Sequence, residues 1–152
     1  MATVKYFEDL EIWQEARRLY KLIIAISKTT DLKSDFKLRD QIKASSGSVM
    51  DNIAEGFERD GNREFIQFLS ISRASAGEVR SQLYRLFDSE YISEHKLNDL
   101  VEDYKLLSRR IAHFLNYLNK EDFRGNKFKK TYLNEGHLKH QTKFEEKQET
   151  KE

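Results

Sequence analysis

The chain predicts an all-α protein: an antiparallel up-down-up-down four-helix bundle followed by a polar C-terminal tail. Three observations lead there. Four stretches each carry an apolar row at alternating steps of three and four, the spacing that holds a row on one helical face. The 152 residues include no proline and six glycines, so long helices meet few forced breaks. Short polar connections join the four stretches, and short connections make sequential helices antiparallel neighbours.

The first helix reads from about Asp9 to Thr29, with a seam of Ile12, Ala16, Leu19, Ile23 and Ile26. Trp13, Tyr20 and Ile24 widen that stripe. Thr29-Thr30-Asp31 breaks the pattern, and either Ser34 or Asp35 can cap the second helix by accepting from its first free amides. That helix runs to about Phe57. Gly61-Asn62 offers a turn and an N-cap, and the third helix follows from Arg63 to about Asp88 on a seam of Phe65, Leu69, Ser72, Ala76, Val79, Leu83 and Leu86. Ser93 lacks the acidic partner of a capping box, but its hydroxyl alone can cap. The fourth helix, about Glu94 to Asn119, has the cleanest seam: Leu97, Leu100, Tyr104, Leu107, Ile111, Phe114 and Leu118. The expected division is a bundle over 1–120 and a basic, polar tail over 121–152.

The second helix carries two rows instead of one. Ile42, Ser46, Val49, Ile53 and Gly56 form an apolar or small row, and one residue earlier throughout runs a polar row of Gln41, Ser45, Ser48, Asn52 and Glu55. An ordinary surface helix borders its seam with long charged side chains that reach into water. Short hydroxyls, an amide and a carboxylate suit a contact surface only if they are hydrogen-bonded there. The segment therefore reads as a helix contacted on two sides, by its own bundle and by a second surface.

The same residues carry a family resemblance. Gln41-Ile42-x-x-Ser45-x-x-Ser48-Val49-x-x-Asn52-Ile53-Ala54-Glu55-Gly56 resembles the signature of the four-helix-bundle family of 23S rRNA intervening-sequence proteins, small bacterial proteins related to retroelement accessory proteins. Leu10-Glu11-Ile12-Trp13-Gln14-Glu15-Ala16 resembles the family's opening. Glu64-Phe65-x-x-Phe68-Leu69 resembles its third-helix start, and Ser75-x-x-Glu78 its third-helix polar pair. Coverage is roughly residues 7 to 118. There are two departures: Leu32-Lys33 stands where a proline is usual, and the tail after about 120 matches nothing in the family. The resemblance implies a ring-like homo-oligomer, a pentamer, that associates with RNA or with an RNA-handling partner such as a reverse transcriptase. It also implies interface roles for Gln41, Ser45, Ser48, Asn52, Glu55, Gly56, Ser75 and Glu78.

Composition narrows the other classes. Charged residues make up 35% of the chain, yet the net charge is only +1, which argues against a dedicated basic coat for nucleic acid and leaves local patches open. No cysteine is present, so disulfides, thiolate metal sites and a cysteine nucleophile are unavailable. No apolar run approaches a membrane span, and the N-terminus lacks the apolar stretch of a signal peptide. A cytoplasmic location is the expectation.

Catalytic readings fail on the residues. A di-iron bundle needs Glu-x-x-His on two helices, but Ile92, Arg110, Asn134 and His137 stand three before the four histidines. His137-x-x-His140 has no obvious third ligand. No nucleophile elbow and no phosphate-cradling glycine loop occurs. If the second and third helices pack antiparallel, Asn52, Glu55, Ser75 and Glu78 meet in one polar layer. An acid/base pair of Glu55 and Glu78 would need environments that push their pKa values apart. A satisfied network fixing helix register or a subunit contact needs only partners. The sequence favours the second, with no enzyme activity, no metal and no cofactor. Gly47 and Gly56 each cost up to about 1 kcal/mol against alanine inside a helix. Close helix approach, or a helix end at Gly56, explains keeping them.

Basic residues supply the nucleic-acid reading. Lys43, Arg59 and Arg63 lie on or near the second turn region, and Arg73 and Arg80 lie seven apart on one face of the third helix. Acids are interspersed, so a solvated mixed face is the plainer reading; repetition in a ring multiplies a modest patch by avidity. In the tail, residues 124 to 143 carry six Lys/Arg against one acid, Glu135. Phe123, Phe128 and Tyr132 interleave there with Arg124, Lys127, Lys129 and Lys130, a pattern suited to stacking on single-stranded RNA and neutralising its phosphates. The alternative is a solubilising tail, disordered or conditionally helical, whose aromatics pack back on the bundle.

Overall fold

The computed structural model of the chain describes residues 4–123, and they fold into four helices: α1 (Glu11–Thr29), α2 (Phe36–Glu58), α3 (Asn62–Asp88) and α4 (Glu94–Phe123). A 3-10 turn, Phe7–Asp9, precedes α1, and a second, Asp31–Ser34, joins α1 to α2. The helices pack as the antiparallel up-down-up-down bundle that the four seams predict. Each seam residue of the first three helices is buried, from Ile12 to Ile26, from Ile42 to Gly56 and from Phe65 to Leu86. Among the described residues no strand occurs, and no helix is long and apolar enough to cross a membrane.

Several boundaries differ from the sequence reading, each for a local reason. Residues 7–9 do not join α1; they form their own tight turn, and Gln14 donates its Nε2 back to the carbonyl of Glu8 at 2.8 Å. Asp35, not Ser34, caps α2: its Oδ1 accepts from the amide of Leu38 at 3.2 Å. Asn62 is not the cap of α3. It is the first helical residue and is buried, while Gly61 holds the extended N-cap conformation without a side-chain bond. Ser93 caps α4 as expected, accepting from Lys96 at 3.1 Å. That helix continues past Asn119 to Phe123. Phe114 is half-buried, its ring edge-on to Phe65 at 5.4 Å, and Val101 and Leu115 join the core instead. Arg124, Lys127, Lys129, Lys130 and the pair His137 and His140 lie outside the described residues.

The two ends of the α2–α3 pair are built differently. At one end Gly56 lets the helices touch. A Cβ there would stand 2.7 Å from Cβ of Phe68 and 2.9 Å from Cδ2 of Phe65. Cβ of Phe68 cannot retreat without moving the α3 backbone, and the Phe65 ring would have to turn. At the other end α3 stops in a Schellman turn: the amide of Tyr91 donates to the carbonyl of Leu86, and that of Glu90 to Phe87, both at 2.9 Å. Glu90 takes the left-handed position at φ 63°, where glycine is the usual residue. Tyr91 then donates its hydroxyl to Oδ2 of Asp35 at 2.9 Å. One carboxylate thus caps α2 and ties down the α3–α4 turn.

Between α1 and α4 the link is partly ionic. Arg18 bonds Glu15 at 2.7 Å and reaches Asp103 at 3.0 Å. The hydrogen bond from Arg18 holds the Glu15 carboxyl below the usual carboxylate range. Behind this pair Tyr104 is fully buried, and burial pushes its phenol above the ordinary range. Its hydroxyl has no hydrogen-bond partner among the described residues.

Two glycines separate on these facts. Gly56→Ala is expected to destabilise by about 1–3 kcal/mol, as overpacked sites do. Gly47→Ala, whose Cβ would meet only Cε2 of Tyr20 at 3.8 Å, should stabilise by up to about 1 kcal/mol through helix propensity. Thermal midpoints moving in opposite directions would verify the close approach, whereas two small shifts of one sign would contradict it. Glu90→Gly should raise the midpoint, because relieving a left-handed non-glycine residue recovers on the order of 1 kcal/mol; calorimetry showing a lower midpoint would refute that account of the turn.

Candidate functional site: the polar seam between α2 and α3

The polar row of α2 faces a matching row on α3. Antiparallel packing sets Gln41 opposite Arg85, Ser45 opposite Gln82 and Ser48 opposite Ser75, and each pair is bonded. Arg85 donates Nη1 to Oε1 of Gln41 at 3.1 Å, Gln82 donates Nε2 to Oγ of Ser45 at 3.0 Å, and the Ser48 and Ser75 hydroxyls lie 2.9 Å apart. The second surface that the sequence called for is thus, along this stretch, the flank of α3 in the same chain.

Local bonds prepare each group for its cross-helix partner. Asn52 donates Nδ2 to both the carbonyl and Oγ of Ser48, at 2.8 and 2.9 Å, one turn back along α2. With one lone pair of Ser48 so engaged, its proton is available to Ser75. Ser45 donates to the carbonyl of Gln41 at 3.0 Å, leaving its oxygen to accept from Gln82. Deeper in the seam, Ser72 donates Oγ to the carbonyl of Val49 at 2.6 Å. That bond joins a side chain of α3 directly to the backbone of α2, so the two helices must lie close.

The acids and bases take separate places. Glu55 is exposed and bonded to Arg59 at 2.9 Å, one turn on, and the Arg59 guanidinium also sits 5.0 Å over the Phe68 ring. Glu78 is exposed and accepts from Gln82 at 3.4 Å. The two carboxylates are therefore held by different neighbours, and neither is buried. Arg63 pairs with Asp122 of α4 at 3.6 Å, near the same turn as Arg59. Arg73 and Arg80 share the other flank of α3, where Arg80 folds to 3.8 Å from the place a Gly77 Cβ would occupy. Lys43 falls on the α1 side of α2, in line with Gly47. The five candidate cations thus occupy three regions of one subunit.

Ser72, Gln82 and Arg85 belong to the seam although the sequence reading did not assign them to it. Ser72 was counted in the apolar row by spacing alone. Gln82 and Arg85 continue the heptad row of Ser75 and Glu78, which is the signal that finds them.

A protein-family model described as 23S rRNA-intervening sequence protein matches residues 8–113. The chain belongs to that family. The match spans the opening of α1, the whole of the α2–α3 seam and most of α4, so the family resemblance read from residues 41–56 extends across the bundle. A crystal structure of a protein of unknown function from the S23 ribosomal protein family of Bacteroides thetaiotaomicron has the same fold: TM-score 0.64 at 20% identity, over 69% of this chain and 95% of that one. No curated protein matches the chain.

If the Ser48–Ser75 bond is a real cross-helix link of this family member, a double-mutant cycle will register it. Ser48→Ala and Ser75→Ala together should show a coupling of about 0.5–1.5 kcal/mol in urea unfolding, the net worth of one such bond. Strict additivity would mean that the two hydroxyls do not depend on each other.

Proposed function

We propose that the chain is a non-enzymatic subunit of a ring-like homo-oligomer, a pentamer, that associates with RNA. The observation that carries this reading is the outer rim of the α2–α3 seam. Gln82 is 5% exposed, and its Oε1 is buried with no hydrogen-bond partner among the described residues. On the same heptad row Ile71 is 49% exposed. Ile71 stands about 16 Å along α3 from Gln82, so the seam carries a buried unsatisfied acceptor, which costs about 1–3 kcal/mol, at one point and an exposed apolar side chain at another. A second subunit packing an apolar group on Ile71 would take that exposed surface out of water. Membership of a family described by 23S rRNA intervening sequences supplies the RNA. Exposed Arg73 and the adjacent Arg80 supply a cationic flank that a ring would repeat. The non-enzymatic part of the reading is supported by the separate engagement of Glu55 and Glu78.

Multi-angle light scattering on purified protein should report a species near five times the 18.1 kDa chain, and a strict monomer at micromolar concentration would end the assembly reading. RNA affinity in filter binding should fall steeply with salt, with each phosphate contact adding about 0.7–0.9 to the log-log slope. Arg73→Glu with Arg80→Glu should weaken binding to every RNA alike, since phosphate contacts do not read sequence. An intact oligomer that retains no RNA at low salt would instead make the protein an adaptor for a protein partner, such as a reverse transcriptase.

A further inference from the structure

A cleft of about 580 Å³ opens where the start of α1 meets the last third of α4, away from the α2–α3 seam. Its apolar floor comes from Val4, Ile12, Phe114 and Tyr117, the last two with rings stacked 6.2 Å apart. Asp9 and Glu11 stand at its mouth, exposed, with no ion pair among the described residues. Arg110 and His113 also line it, on the α4 side. The cleft therefore offers an aromatic-lined floor with two exposed carboxylates at its mouth.

We propose that this cleft receives the chain's own segment Lys127–Leu133. α4 is described as far as Phe123, and Phe114 lies nine residues back, about 13 Å along the helix axis. Arg124-Gly125-Asn126 follows directly, and glycine with asparagine is reversal chemistry, since both tolerate the left-handed backbone of a tight turn. Five residues of extended chain span up to about 17 Å, enough to bring Phe128 back over Phe114. Lys127, Phe128, Lys129, Lys130 and Tyr132 then set aromatics against the floor and ammonium groups beside Asp9 and Glu11. The occupant is attached to the site wall by a very short loop, so closure costs little entropy. A peptide from another molecule lacks that advantage. This inference takes the tail's alternative to RNA stacking and is independent of the ring reading and of the bundle's own cationic flank.

Photo-crosslinking on the full chain tests it. p-Benzoylphenylalanine at position 128, in place of Phe128, keeps an aromatic there and leaves residues 4–123 unchanged. Most crosslinks should map to residues 9–12 and 110–117. In a co-assembled mixture of light and ¹⁵N-labelled protein they should join only peptides of the same label. Asp9→Asn with Glu11→Gln should lower the yield roughly threefold, the scale of exposed charge pairs. Crosslinks scattered over the bundle would overturn the proposal, as would light-to-heavy pairs that place the segment on a neighbouring copy.

Discussion

The closeness of α2 to α3 is the constraint on which the rest depends. At Gly56 the facing Phe65 and Phe68 leave no room for a methyl group. Two turns away the Ser72 hydroxyl reaches the α2 backbone at 2.6 Å. Backbones this near can be joined only by short side chains, so the seam has Gly56, Ser48, Ser72 and Ser75 where the helices are closest and longer amide and guanidinium groups at the Gln41–Arg85 end. The polar row is a consequence of this geometry as much as a functional feature. Serine in a helix can return its hydrogen bond to the preceding turn when no partner is present, which makes it less costly there than a larger polar group.

A seam of hydrogen bonds specifies register more sharply than an apolar seam does. Leucine tolerates a small axial slide, whereas Ser48–Ser75 and Gln82–Ser45 are lost within about 1 Å of one. The Schellman turn at Glu90 and the Asp35–Tyr91 bond hold the opposite end of the same pair. Register is thus set at both ends and in the middle. The α1–α4 side, by contrast, is tied by the exposed Arg18 clamp over a buried Tyr104 hydroxyl that lacks a partner among the described residues. Exposed ion pairs contribute little, so the α1–α4 side relies on its apolar core, whereas α2 and α3 add cross-helix hydrogen bonds. A pair bonded in this way suits the proposed contact between subunits, because its side chains are already held by one another.

The four helices were legible in the sequence because an apolar row at steps of three and four has one economical outcome when proline is absent and connections are short. The burial of Ile42, Val49, Leu69 and Leu83 was legible for the same reason, and the row Gln41 to Glu55 stood out because short polar groups bordered it where charged ones are usual. What answers that row was decided only by tertiary structure. Spacing along one helix says which face a residue occupies but not which residue of another helix stands across from it. The pairing of Ser45 with Gln82, the role of Ser72 and the separation of Glu55 from Glu78 all required the axial offset of α3 against α2. Gly47 and Gly56 looked alike in sequence, and only the position of Phe65 and Phe68 made one of them obligatory. Caps were settled in the same way: Asp35 won over Ser34, and Gly61 over Asn62, through backbone directions that no single-helix pattern encodes.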